Sequence, residues 1–311
     1  ANIGRDNIDL TVLMDIGQNP HSFEPTPQDL AAVETADLVF VNGLDLEEVL
    51  MEAVEKTATG TVVAVSDGIE PLTFGEDDHD NHDEAEHDNH DEAEHEDHDE
   101  VEHDDHDEAE HDDHDEGEDH DDDEHEGHNH ALDPHFWNDP NNVIVWSENI
   151  AHALSDADPT NAGAYEVNAD AYIVELQALD SYIREQTVTI PAADRKIVTD
   201  HQSLGYFAKE YGYEVVGAVI PGTTDTGGAS AGEVAKLAGL MQEEDVQVIF
   251  IGGTASQGMR NLAKSLAQEI GDEVKIITLL TGSLAPKGEL GDTTLSYLRY
   301  NTDQIVSGLT E

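Results

Sequence analysis

The stretch Ala162–Ile183, AGAYEVNADAYIVELQALDSYI, decides how the rest of the chain is read. Ala162, Tyr165, Ala169, Tyr172, Leu176, Leu179 and Ile183 recur in alternating steps of three and four, which puts them on one stripe of an α-helix. Asp158-Pro159 ahead of it reads as cap and first helical residue, so the spacing predicts a helix of about 28 residues, roughly 40 Å long at 1.5 Å per residue. A lobe of about 120 residues has a radius of gyration of only about 13–14 Å. Such a helix outruns one lobe and is expected to cross to another as a rigid backbone.

Both flanks share one grammar. Before the helix, apolar β-branched runs at Leu10–Met14, Leu38–Val41 and Thr61–Val65 are separated by helical patterns, one of them opened by Thr26-Pro27-Gln28-Asp29 as cap, proline at the first position and acid at the third. After it, runs at Lys196–Thr199, Glu214–Val219, Val246–Ile251 and Val274–Leu279 alternate with helical stretches near Leu204–Tyr211, Ala231–Gln242, Gln257–Ile270 and Thr293–Leu309. Strands alternating with helices predict the α/β class: two lobes, each a mainly parallel sheet flanked by helices. The expected division is residues 1–157 for the N-terminal lobe, 158–187 for the connecting helix and 188–311 for the C-terminal lobe.

One segment breaks the pattern. Glu76–His130 holds 32 acidic residues and 14 of the chain's 18 histidines, with no Lys or Arg. Too little of it is apolar to offset the entropy of ordering, so a disordered insertion is expected. An octad repeat runs through it from His79, His87, His95, His103 and His111, each followed three residues on by a second histidine. The unit has no hydrophobic face to stack, which excludes a solenoid. Histidine at this density reads as metal binding, through many weak, exchangeable sites.

The net charge of −60, from 12 bases against 72 acids, excludes nucleic acid and anionic membrane surfaces as partners, because both require clustered Lys and Arg. With no cysteine, metal chemistry falls to His, Asp and Glu. No apolar run reaches membrane-spanning length, and Ala1-Asn2-Ile3-Gly4 has neither a basic nor an apolar signal region, so a signal segment is expected to be absent from this chain.

Four histidines lie outside the insertion: His21, His135, His152 and His201. His152 sits in the helical pattern Val143–Leu154 and reads as a helix-surface residue. Each of the other three lies where a strand or loop gives way to a helix, the position at which α/β proteins present ligands. Pro20 and Pro134 stiffen the backbone beside His21 and His135. Together, two from the N-terminal side and one from the C-terminal side, they are expected to meet in the interlobe cleft.

Pro20-His21-Ser22-Phe23-Glu24-Pro25-Thr26-Pro27, Asp133-Pro134-His135-Phe136-Trp137, and Thr199-Asp200-His201 with Tyr206-Phe207-Ala208 resemble the metal-binding solute-binding proteins of ABC transporters, specifically the zinc-uptake branch. The similarity spans the chain apart from the insertion, and a His- and acid-rich insertion before the second motif is itself characteristic of that branch. The resemblance implies a periplasmic or extracellular protein, possible lipid anchorage included, that captures a divalent metal and delivers it to a permease, and no enzymatic activity. It makes His21, His135 and His201 the expected ligands. Manganese-type relatives commonly place a carboxylate where this chain has His201, and three neutral imidazoles suit zinc, so Zn2+ is the expected ion.

Two positions depart from the family pattern. Relatives often carry an aspartate as fourth ligand in a Thr-Asp-Ser segment, where this chain reads Thr281-Gly282-Ser283. Water, a group from the insertion, Glu289 or Asp292 are the alternatives for that position. Relatives also begin with a strand and helix ahead of the segment matching Ile3-Gly4-Arg5-Asp6, about twenty residues that this chain is expected to lack. The competing functions are a manganese or iron binder of the same fold and an extracellular zinc buffer or adhesin-like protein without a transporter. Because imidazole ligates only when neutral, affinity is expected to weaken below about pH 6.

Overall fold

The computed structural model describes residues 1–44, 46–73, 132–222, 224, 228–271 and 273–310, and the expected disorder and repeat of the His-rich insertion lie outside them. The chain is α/β, with eight α-helices and two parallel sheets among the described residues. The first sheet pairs β1 (Leu38–Val41) with β2 (Thr61–Ala64) in parallel. α1 (Pro27–Thr35) leads into β1, and α2 (Glu48–Thr57) makes the crossover to β2. The capping signal holds: Thr26 accepts from the Asp29 N–H while the Asp29 carboxylate accepts from the Thr26 N–H. β1 alternates faces as a strand must, sending Val39 and Val41 to one apolar cluster with Val33, Leu50 and Val54, and Leu38 and Phe40 to another with Ile3, Ala151 and Leu154.

Two expectations fail here. Leu10–Met14 forms no strand, and Leu10 and Val12 stand 51% and 72% exposed. A β-segment needs a ladder partner for its N–H and C=O groups, and among the described residues β1 pairs with β2 alone. Nor do Asp158-Pro159 open the long helix. Asp158 instead ends α3 (Pro140–Ala157), its N–H bonded to the Leu154 carbonyl, and its carboxylate gathers the Thr160 N–H, the Asn161 amide and the Tyr165 hydroxyl. Proline is common just beyond a helix end as well as at a helix start, and here the first meaning applies.

The long helix α4 runs Ala162–Thr187, 26 residues, with Asn161 at its N-cap. Its buried stripe serves two cores: Tyr165 and Ala169 pack with Ile3, Ala151 and Leu154, whereas Leu179 and Ile183 pack with Ile197, Phe207, Phe250 and Tyr297.

The second sheet has the order β4-β3-β5-β6, from β3 (Lys196–Thr199), β4 (Glu214–Ala218), β5 (Val248–Gly252) and β6 (Lys275–Leu279). Every pair is parallel, joined through α5 (Gly205–Tyr211), α6 (Ala231–Glu243) and α7 (Gln257–Ile270), with α8 (Thr294–Thr310) following. β5 is buried along its whole length, the mark of a central strand covered on both faces. Val248 and Phe250 face α4, α5 and α8, while Ile249 and Ile251 face α6 and α7. After β3 the chain winds outward to β4, then returns to lay β5 on the other side of β3. The carboxyl ends of β3 and β5 are therefore the topological switch point, where open α/β sheets bind ligands.

Candidate metal centre

His201 stands at that switch point. It follows β3 directly, and Asp200 between them holds it: Asp200 Oδ1 accepts from the His201 N–H at 2.9 Å and lies 3.0 Å from Nδ1, while Oδ2 accepts from the Gly252 N–H at the end of β5 at 2.7 Å. Burial alone would raise the Asp200 carboxyl, but the hydrogen bond from His201 Nδ1, with the N–H groups of Gly252 and His201, holds it below the usual carboxylate range.

His135 repeats the device. Asp133 Oδ1 accepts from the His135 N–H at 2.9 Å and sits 2.7 Å from Nδ1. Both residues are buried, Asp133 fully and His135 to 1% exposure. The residues after His135 are tied to the C-terminal half of the chain. Asn138 donates to the Ser203 carbonyl at 2.8 Å, and Trp137 Nε1–H reaches the Thr281 carbonyl at 2.8 Å and the Tyr297 hydroxyl at 3.0 Å. On the other side, the Asn42 amide after β1 donates to the Pro134 carbonyl at 2.9 Å.

His21 comes from an exposed loop. Asn19 accepts the His21 N–H at 3.0 Å, and Pro20 opens a single 3-10 turn, Pro20–Ser22. The loop is fixed to the segment after β6: the Gly17 N–H donates to Ser283 Oγ at 2.7 Å, and Pro20 lies against Gly282 so closely that a Cβ on the glycine would stand 2.9 Å from Pro20 Cδ.

These three histidines, far apart in sequence, meet. His135 Nε2 is 3.1 Å from His21 Nε2 and 3.3 Å from His201 Nε2, and the ring centroids form a nearly equilateral triangle of 5.1, 5.3 and 5.1 Å. Nitrogens bound tetrahedrally to zinc at about 2.0–2.1 Å stand about 3.3–3.4 Å apart, so the spacing suits one ion. Burial, reinforced by the neighbouring His135 and His201 and opposed by Asp200, pushes His21 down to about 3, and burial also lowers His135 against the pull of Asp133. Carboxylates at Nδ1 fix the proton there on His135 and His201 and turn the Nε2 lone pairs inward.

His152 lies elsewhere, exposed on α3 with Asp156 3.4 Å away. Among the described residues, His21, His135 and His201 form the group able to hold an ion, and neither Glu289 nor Asp292 joins it. Gly282 brings no donor, and Pro20 fills the space beside it. Sequence reasoning named the histidines and missed the two orienting carboxylates. The signal was present: each acid stands one or two residues ahead of its histidine, in Asp133-Pro134-His135 and Asp200-His201.

The parallel α/β fold thus carries a triad of imidazoles at its switch point. The family profile for the zinc-uptake complex component A, periplasmic, matches residues 1–308, and the chain belongs to that family. Similar relatives include the manganese-binding lipoprotein MntA of Halalkalibacterium halodurans, 29% identical over 311 residues covering 100% of this chain and 84% of the relative. The manganese ABC transporter substrate-binding lipoprotein PsaA of Streptococcus pneumoniae is 28% identical, covering 99% and 84%. Among solved structures, the periplasmic zinc binding protein TroA from Treponema pallidum matches the fold with a TM-score of 0.76 at 24% identity, over 100% of this chain and 94% of that one. The Mn-bound periplasmic metal binding protein from Candidatus Liberibacter asiaticus matches at 0.73 and 24%, over 99% and 94%. The protein is thus the extracytoplasmic metal-binding component of an ABC transporter, not an enzyme. No helix among the described residues is long and apolar enough to cross a membrane.

Proposed function

We propose that the protein captures Zn2+ through His21, His135 and His201 and delivers it to the permease of a zinc ABC transporter. The observation that carries this reading is the convergence of three Nε2 atoms, two of them on rings whose Nδ1 is held by a buried carboxylate. Lone pairs brought so close repel one another unless a cation lies between them. The donor set is three neutral imidazoles with no carboxylate in the group, which suits zinc and leaves manganese without the oxygen ligands it prefers. The fourth position is left to water or to a group outside the described residues. The His-rich tract serves as a collector that raises the local zinc concentration through weak sites.

A manganese reading is favoured by a specific observation, since relatives at 28–29% identity are named for manganese. Direct competition decides between them. Protein stripped of metal and titrated with Zn2+ and Mn2+ against a chromophoric chelator is expected to bind Zn2+ at one tight site and Mn2+ far more weakly. Equal or tighter Mn2+ binding overturns the zinc assignment.

A further inference from the structure

One phenol fastens the two described ends that flank the acidic tract. The Asp133 N–H donates to the Leu72 carbonyl at 2.8 Å, and Thr73 pairs with Leu132 in an isolated antiparallel bridge. The Tyr206 hydroxyl, on α5, accepts from the Leu72 N–H at 3.0 Å and donates to the Asp133 carbonyl at 2.9 Å. Its ring packs on Phe136 with centroids 4.9 Å apart. Gly205 allows this approach, because a Cβ there would stand 2.6 Å from Asp133 Oδ2 and 3.3 Å from Leu72 Cδ1. The residue held in this way is the one whose Oδ1 orients His135.

A hydroxyl donates and accepts through one atom, so it can satisfy the Leu72 N–H and the Asp133 carbonyl together, and a Phe ring can satisfy neither. Asp133 is fully buried, so no water replaces the lost partner without a rearrangement. We propose that Tyr206 is a positioning residue for metal capture: its hydroxyl joins the two ends flanking the tract and sets the Asp133 carboxylate, and through it the His135 imidazole, in the orientation that receives the ion. A displacement at Leu72 then reaches Asp133 through one hydrogen bond, and a displacement at Leu132 reaches it through one peptide unit. The proposal rests on the reading of His135 as a ligand.

The test uses the full chain with Tyr206→Phe, Gly205→Ala, His135→Ala and Tyr213→Phe. Zn2+ affinity is measured by chelator competition, and the His135 tautomer of metal-free protein by 15N imidazole NMR at pH 8. Tyr206→Phe is expected to weaken Zn2+ binding about tenfold, the scale of outer-shell changes, and to replace the single Nδ1–H form of His135 by a mixture. Gly205→Ala is expected to do the same by displacing Asp133, although alanine is the better helix former. Tyr213→Phe removes another buried hydroxyl, 3.3 Å from Thr187 Oγ1, and serves as control: it lowers Tm and leaves affinity and tautomer unchanged. If Tyr206→Phe and Gly205→Ala bind Zn2+ like the parent and keep one tautomer while His135→Ala has lost binding, the positioning role is overturned and the ligand reading stands. Undiminished binding by His135→Ala overturns the ligand reading, and the proposal with it.

Discussion

His21 Nε2 lies 3.1 Å from His135 Nε2 although 114 residues separate them in the chain. Two imidazole nitrogens at that distance share either a proton or a cation. The single ion proposed above would also face His201 Nε2, which lies 3.3 Å from His135 Nε2. Replacing His21, His135 or His201 singly by Ala is therefore expected to weaken the tight site by at least about a hundredfold, more than outer-shell changes cost. Isothermal titration of each variant checks this, and undiminished tight binding in His21→Ala and His201→Ala together removes the ligand assignment.

The carboxylates behind the rings carry a separate expectation. Asp200→Asn keeps the shape but loses the charge that faces His201 Nδ1 and the strong acceptor for the Gly252 N–H. A loss of about 10–100-fold in Zn2+ affinity is expected, with the fold unchanged by circular dichroism. Affinity equal to the parent would show that the backbone alone orients His201.

Acid acts on the metal-free protein in a defined direction. The site holds His21 neutral down to about pH 3 and lowers His135 as well, whereas the unfolded chain protonates both near 6.5. Between those values the unfolded state binds more protons, so stability is greatest above pH 6.5 and decreases as pH falls toward 3. The Tm of metal-free protein is expected to drop from pH 7 to pH 4, less steeply in His21→Ala, and a Tm that climbs on acidification contradicts the burial argument.

Gly282 holds the His21 loop by having no side chain. Its Cβ would stand 2.9 Å from Pro20 Cδ and 3.2 Å from Thr254 Oγ1. Gly282→Ala is expected to cost about 1–3 kcal/mol of overpacking and to weaken Zn2+ binding by moving Pro20 and His21. Denaturant unfolding and titration measured together check both halves. An alanine variant with unchanged stability and affinity would show that the loop shifts freely.

A collector tract is expected to be separable from the tight site. Deleting Glu76–His130 is expected to remove the weak, numerous Zn2+ equivalents and leave one tight equivalent, counted by equilibrium dialysis. Loss of the tight equivalent as well would place a needed donor in the tract.

Local signals in the sequence were read correctly where a single residue type has one physical meaning. Thr26 and Asp29 cap α1 because no other use of Thr-Pro-x-Asp satisfies both orphan N–H groups. The stripe on α4 was legible from its period alone. Asp158-Pro159 misled because the same dipeptide serves a helix end and a helix start, and only the Leu154 carbonyl selects between them. Leu10–Met14 misled because strand propensity becomes a strand only beside a partner.

Sequence by itself determined the alternation of strands and helices, the crossing helix, the three histidines set apart from the tract and the absence of thiolate chemistry. Each follows from period, composition or a motif contained within a few residues. Tertiary structure alone decided that the three Nε2 atoms converge, that Asp133 and Asp200 turn the rings inward, and that Pro20 fills the space beside Gly282. Those are relations between segments up to 266 residues apart, as with Gly17 and Ser283, and the packing of whole elements, not local propensity, brings such segments within hydrogen-bonding distance.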